Sequence, residues 1–384
     1  MSQNTAAPTP AVAIDARSIR PGATGVGRAA QRLIGAMLSA RPEWRFILVC
    51  RPGAGLAEWA GAPNAEVHET PVDYESHPRG DFWLNWRLPW LLRRWGATAY
   101  FAPAFIGPVR RPGVPCALSV YDLSVFRFPR AYSWRFRLFL RLAIRLGVRM
   151  ADRVVVPCES VRQSAAERFP WAAGRLAVVP LAAASESQPP SPAAAEAFRR
   201  RMGLPERYLL GVGALEPRKN PLLVAEALER LPAAARPALA WAGPAGYRSR
   251  ELANAMLRRL GGAGFVWLGP LGDADLAAAR AGAAAAVCPS LDEGFGMTVL
   301  EAMACGVPVV CSDIPAHRET AGGAALFAGP LDAEAWTGRL AAALGDEALR
   351  RDLAERGWRR AAEFSWEASA DRMLEVLREL IEAR

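Results

Sequence analysis

At 384 residues, with 52% hydrophobic and 22% charged content, the chain has material for two ordinary domains with buried cores, and too much apolar content for general disorder. It has no uninterrupted apolar run of about eighteen residues and no charged-then-apolar start, so neither a membrane span nor a secretory leader is expected and the chain reads as intracellular. Net charge is +9, but residues 1–185 carry 24 Arg against 12 acids (+12) and the rest 23 Arg plus Lys against 26 acids (−3). The first half is thus suited to an anion, a phosphorylated substrate or an anionic membrane face, rather than to nucleic acid, for which no reader motif is present.

In chain order, Ser, Asn, Thr and Pro in the first ten residues predict a disordered start. Short apolar runs then predict strands over 11–14, 45–50, 116–120, 154–156 and 176–179, with helical periodicity over 27–40 and 132–150. Residues 182–191 have linker composition and set a boundary near 185. Beyond it, strands are expected over 208–212, 238–242, 265–268, 284–288 and 307–311, with helices between them and a closing amphipathic helix over 366–384. This alternation predicts an α/β chain of two doubly wound parallel sheets: residues 1–185, residues 186–365, and a last helix packing back on the first domain.

The six cysteines, Cys50, Cys116, Cys158, Cys288, Cys305 and Cys311, lie in or beside apolar runs with no CxxC pair, which reads as buried, reduced thiols. Only His68, His77 and His317 are available as histidines, so a multi-histidine metal centre is not expected.

Lys219 is the single lysine against 46 arginines. A chain that uses Arg everywhere else keeps Lys where a compact ammonium is needed and a planar fork will not serve. It follows the strand expected at 208–212, beside Arg218, at the carboxyl end where open sheets bind ligands. A second cluster also follows a strand: Glu293, Gly294, Phe295, Gly296, Met297, Thr298, Val299 and Glu301. Its glycines permit close backbone approach, and the helix that starts there offers unpaired N–H groups to a phosphate. The two carboxylates bracket that helix start, one for sugar hydroxyls and the other for a ribose diol. Asp273-Ala-Asp275 imitates a D-x-D metal clamp but directly precedes a helical run, which makes it a capping element.

Glu293 and Glu301 as E-x7-E, the glycines between them, Arg218-Lys219 and Gly306-Val-Pro-Val-Val-Cys-Ser-Asp-Ile-Pro315 together resemble the retaining family-4 glycosyltransferases of the GT-B fold. The resemblance runs from the glycine loop at Gly22 to the Phe364-Ser-Trp366 before the last helix. It implies two Rossmann-like domains facing a cleft, with a nucleotide diphosphate sugar held mainly by the second domain and GDP-mannose among the candidate donors. Arg218 and Lys219 would neutralise the diphosphate without a metal ion. Glu293 and the backbone from Gly294 to Met297 would hold the sugar, the Thr298 and Val299 amides the phosphate, and Glu301 the ribose. Gly25 and Gly27, in the loop that opens the first helix, would face the donor diphosphate and the acceptor. The implied reaction is same-face transfer of a mannose-like hexose, the leaving phosphate assisting deprotonation. Where such families usually carry His-Asp after a first-domain strand, this chain has Tyr121-Asp122. A phenol donates a hydrogen bond but does not titrate near neutral pH as imidazole does, which leaves open a sugar lacking the usual 6-hydroxyl.

Arg137, Arg141, Arg145 and Arg149 recur every four residues among Trp134, Phe136, Leu138 and Phe139, a basic amphipathic pattern, and Trp83, Trp86, Trp90 and Trp95 cluster upstream. Docking on an anionic inner leaflet, with a lipid-linked or polysaccharide acceptor, is one reading; a packed helix with a solvated Arg edge is the other. Three further alternatives stand beside the transferase: a non-catalytic sugar-nucleotide-binding or scaffold protein, a GT-B phosphorylase or epimerase, and a dehydrogenase read from Gly25-Val-Gly27 alone.

Overall fold

The computed structural model describes residues 9–20, 25–54, 56–70, 83–183 and 190–383. The start expected to be disordered (residues 1–8), Gly22 and its neighbours 21–24, His77 and linker residues 184–189 lie outside the described residues.

The first sheet has seven parallel strands: β1 (Ala11–Asp15), β2 (Arg45–Cys50), β3 (Ala65–Glu69), β4 (Ala99–Ala102), β5 (Cys116–Ser119), β6 (Arg153–Val156) and β7 (Leu176–Val178), in the order β3-β2-β1-β4-β5-β6-β7. The second has six: β8 (Tyr208–Val212), β9 (Ala238–Ala242), β10 (Phe265–Gly269), β11 (Ala285–Cys288), β12 (Val309–Ser312) and β13 (Leu326–Ala328), in the order β10-β9-β8-β11-β12-β13. All pairings are parallel; Val12, for example, lies opposite Phe46 on one side and Ala99 on the other. Parallel strands are covered on both faces, so central strands read as continuous apolar runs, and every residue of β1, β9 and β11 is buried. In each sheet the strand order reverses once, between β1 and β4 and between β8 and β11. At such a switch point adjacent connections leave toward opposite faces and open a crevice at the carboxyl ends.

The chain divides into two compact units, one of residues 1–123, 138–181 and 366–384, the other of residues 124–137 and 182–365. In the first, Ile14, Phe46 and Leu48 of the sheet pack with Leu33 and Met37 of the Val26–Ala40 helix and with Met373 and Leu377 of the closing Trp366–Glu382 helix. Each such side chain stabilises the unit by about 1.5–3 kcal/mol on burial, so that last helix is part of this core. In the second, Leu209, Leu239, Trp241 and Val287 pack against Val224 and Trp336 of the covering helices.

The expected elements shift by one or two residues where local chemistry intervenes. β12 starts at Val309 because Pro308 has no N–H to give; its carbonyl still accepts from the Ala286 amide at 2.9 Å. The basic helix spans Trp134–Met150, since Ser133 stays outside and accepts from the Arg137 amide at 2.9 Å through its carbonyl. All six cysteines are buried and unbridged. Among the described residues no helix is long and apolar enough to cross a membrane.

Candidate functional site

β8 and β11 are neighbours, and the loops that leave their carboxyl ends carry Arg218, Lys219 and Glu293. After β8 the chain turns at Gly213, with φ near +130°, and reaches a short 3₁₀ turn, Pro217–Lys219. Trp241 of β9 fixes this turn by donating its indole N–H to the Gly213 carbonyl at 2.9 Å. The Leu291 amide donates to the Arg218 carbonyl at 2.9 Å, which stitches the two loops together through backbone.

The side chains then converge. Lys219 Nζ donates to Glu293 Oε1 at 2.5 Å, and Arg218 approaches Glu293 Oε2 at 3.2 Å while donating to the Asp292 carbonyl at 2.9 Å. Ser290 Oγ donates to Glu293 Oε1 at 2.7 Å, and Glu216 sits 3.0 Å from the other side of the Arg218 fork. Lys219 and Glu293 are each only 13% exposed at the side chain, so water screens the pair weakly. Burial pushes the Glu293 carboxyl up, but the charges of Lys219 and Arg218 outweigh it and hold the acid well below its ordinary value near 4.5. Two cations and two carboxylates, Glu293 and Glu216, therefore share this end of the sheet, an arrangement able to meet an anion and a hydroxylated group together.

The next stretch opens the Met297–Ala304 helix, with Gly296 in the left-handed region at φ +94°. A β-carbon there would also meet the His317 ring at 3.0 Å. His317 is fully buried; burial lowers its basicity, and its Nδ1 lies 3.0 Å from the Ser312 carbonyl, so the neutral ring carries its proton on Nδ1. Of the predicted binding residues here, Phe295 packs edge-on against Phe364 and gives its carbonyl to Thr320, which makes it a packing anchor. Met297 and Thr298 are half-buried at the helix start, Gly294 is buried beside them, and the Cys288 thiol contacts Thr298 Oγ1 at 3.6 Å. The Val299 amide, expected to meet the phosphate, donates to the Gly296 carbonyl at 2.9 Å in a tight first turn, and its side chain is buried. Glu301, one turn further, pairs with the buried Arg280.

In the first unit, Tyr121 follows β5 with its ring buried edge-on against Phe105 at 5.6 Å. Its hydroxyl is buried, and burial raises its pKa against the opposing pull of Ser119. Asp122 beside it is half-buried. Gly25 precedes the Val26–Ala40 helix at φ +53°, with nothing among the described residues within 4 Å of a β-carbon placed there, and Gly27 is buried in the first turn. At this unit's own switch point Asp15 is held by Arg17 at 2.6 and 2.7 Å and approached by the Tyr100 hydroxyl at 3.3 Å.

Ser290, Glu216, Asp292, Arg280 and His317 were not assigned roles from the sequence. Ser290 carried a signal, lying in the same loop three residues before Glu293; Arg280, 21 residues from its partner and on a preceding helix, carried none. The capping reading of Asp273 and Asp275 is also corrected. Gly272 holds the N-cap position with no side-chain cap, and the acids lie in the first turn, where they favour the helix dipole; Asp275 pairs with Arg201. Among the described residues no group of three or more His, Cys, Asp or Glu is placed to hold a metal ion.

Comparison with known proteins agrees with this geometry. Residues 195–360 match the family model "Glycosyl transferases group 1", and residues 23–183 match "Glycosyltransferase Family 4". The O-antigen chain mannosyltransferase B of Escherichia coli is 31% identical over 294 residues, covering 76% of this chain and 75% of that protein. The fold is shared with sucrose-phosphate synthase from Thermosynechococcus elongatus, at TM-score 0.74 and 21% identity over 98% of this chain and 100% of the other. Anabaena HepE in complex with UDP-glucose is similar at TM-score 0.73 and 18% identity, over 96% and 99% of the two chains. With both halves matched and a relative of this identity across three quarters of its length, the chain belongs to the group 1, family-4 glycosyltransferases of the GT-B fold.

Proposed function

We propose that the chain is a retaining glycosyltransferase that moves a mannose-like hexose from a nucleoside diphosphate donor, GDP-mannose foremost, to a growing polysaccharide or lipid-linked saccharide. One observation carries the reading: Arg218 and Lys219 meet Glu293 at the switch point of the second sheet, in a weakly screened crevice beside a helix start. On arrival, the donor diphosphate takes over as partner of the two cations, which stabilise the leaving charge with no metal ion required. Glu293, released from part of its ion pairing and still braced by Ser290, accepts hydrogen bonds from sugar hydroxyls. Thr298 supplies an amide to the phosphate, and Glu301 accepts from the ribose. The acceptor oxygen bonds to the anomeric carbon as the carbon–phosphate oxygen bond breaks, and the acceptor proton passes to the leaving phosphate on the same face. By resemblance to the family, Tyr121 and Asp122 are assigned as catalytic residues and Gly25 and Gly27 as donor-binding ones, Tyr121 in the place where the family usually carries His. The mannose assignment draws on the mannosyltransferase relative, a builder of O-antigen chains by its name.

The helix Trp134–Met150 supports an anionic membrane surface as a further partner. Its buried residues, Ala143, Ile144, Gly147 and Val148, all lie in its second half. Trp134 and Leu138, each 64% exposed, and Leu142 form a stripe at spacing four that runs on into Arg145 and Arg149, with no acid anywhere in the helix. Exposed apolar side chains ringed by arginines suit an anionic headgroup layer and leave a plain solvated edge unexplained.

Nuclear magnetic resonance of products formed from GDP-mannose, UDP-glucose and related donors tests the reaction. Retention of the anomeric configuration with a preferred mannosyl donor, unchanged by chelator, is the expected result. Inversion, or no turnover with any nucleotide sugar under conditions where the protein binds it, rejects the reading and leaves the non-catalytic binder.

A further inference from the structure

Resting on that reading of the donor site, we propose that Arg280 is a positioning residue that aims the Glu301 carboxylate at the ribose diol and thereby sets the preference for ribonucleotide over deoxyribonucleotide donors. Arg280 ends the Asp273–Ala281 helix and is only 4% exposed. Burying a guanidinium is costly unless it is paired, and its anionic hydrogen-bond partner is Glu301, through NH2 and Oε2. Among the described residues its Nε makes no hydrogen bond, so the geometry serves the carboxylate rather than filling every donor of the arginine.

Glu301 lies just past the start of the Met297–Ala304 helix, its side chain 17% exposed. Among the described residues Oε1 receives no hydrogen bond, because Arg280 occupies only Oε2. A carboxylate fixed by one oxygen keeps its rotamer and offers the remaining acceptor sites to vicinal hydroxyls. A freely rotating Glu would pay the ordering cost when the nucleotide binds. Cys305 stands one turn further, beside the same guanidinium; burial raises its thiol to about 11 against the pull of Arg280, so it meets the arginine as a neutral group and leaves Glu301 as the anionic partner.

The test uses the full chain and titrates GDP and UDP against their 2′-deoxy and 3′-deoxy forms, with wild type, Arg280→Gln, Arg280→Lys and Glu301→Gln. Wild type is expected to prefer the ribonucleotide by roughly 10- to 100-fold, the range for hydrogen bonds to a charged acceptor. Glu301→Gln and Arg280→Gln should bring that ratio to within about threefold of unity, since both lose the oriented carboxylate, while Arg280→Lys retains an intermediate ratio. With the sugar donor, KM should rise more than kcat falls. A variant set that melts earlier yet keeps the wild-type ratio makes Arg280 a structural ion-pair partner and overturns the proposal alone. Wild type that binds neither nucleotide overturns the donor-site reading, and this one with it.

Discussion

Lys219 is where the chain departs from its own habit of using arginine, and it is the cation that sits 2.5 Å from Glu293. If it neutralises a leaving diphosphate, Lys219→Ala should lower kcat by about 10²–10³-fold, the usual loss for one transition-state donor, with a smaller change in the binding of uncharged sugar. Removing one member of a poorly screened ion pair also strands the other, so the same variant should melt earlier than wild type in the absence of ligand. Glu293 makes a pH prediction with a definite sign. Its folded pKa is held below the ordinary 4.5 by Lys219 and Arg218, against burial, so the pair's stabilisation is complete above about that pH. It fades as pH falls below it, when the unfolded chain takes up a proton that the folded chain refuses. Melting temperatures of wild type and Glu293→Gln should therefore differ most at neutral pH and converge on acidification; a gap that widens in acid would contradict the assigned pairing. The residue types of this cluster were legible because they stand in two loops after two strands. Arg280 was not, because nothing in local spacing ties it to Glu301.

At the scale of elements, strand ends bring the two loops together, and a few close backbone approaches fix their height. Gly243 sits at φ +149°, and a β-carbon on it would lie 2.0 Å from the Gly213 carbonyl oxygen, the atom that also receives the Trp241 indole. Gly243→Ala should cost about 1–3 kcal/mol of stability as an overpacked site. It should also reduce turnover by displacing the turn that carries Arg218 and Lys219. Calorimetry and kinetics on one preparation check both, and an unchanged turnover would mean that the turn is held by other contacts. The sequence reading found the continuous apolar strands and missed three others for identifiable reasons. β3 is an edge strand reading Ala-Glu-Val-His-Glu, half-exposed, with Arg45 clamped on Glu66; β4 runs directly into Pro103, and β13 lies between Gly322-Gly323-Ala324-Ala325 and Gly329-Pro330, so both sit in loop-like composition. The Trp134–Met150 helix was found, but not that its first half has no buried residue, since periodicity reports one face and not what covers it. Replacing Trp134, Leu138 and Leu142 by Ser should abolish flotation with vesicles rich in phosphatidylglycerol while leaving the melting temperature within a few degrees; flotation that persists, or is equal on zwitterionic vesicles, removes the membrane proposal.

For the whole molecule, the uneven charge was plain in the sequence, +12 over residues 1–185 and −3 over residues 186–384, and so was the repetition of a doubly wound pattern in two halves. What no local pattern disclosed is that residues 124–137 group with the second unit, because their anchor is a distant side chain. Ser124 Oγ and Arg127 each reach the buried Asp292 at 2.9 Å, more than 160 residues away in sequence. That places a carboxylate adjacent to Glu293 under the control of the segment that leads into the basic helix. The central claim, that the second unit holds a nucleoside diphosphate through Arg218 and Lys219, is tested most directly by titrating the full chain with nucleoside diphosphates and the matching monophosphates. Wild type should bind the diphosphate at least tenfold more tightly, and Lys219→Ala should lose most of that preference while binding the monophosphate almost as before. Equal affinity for the two nucleotides in wild type, or a preference left intact in Lys219→Ala, would contradict it.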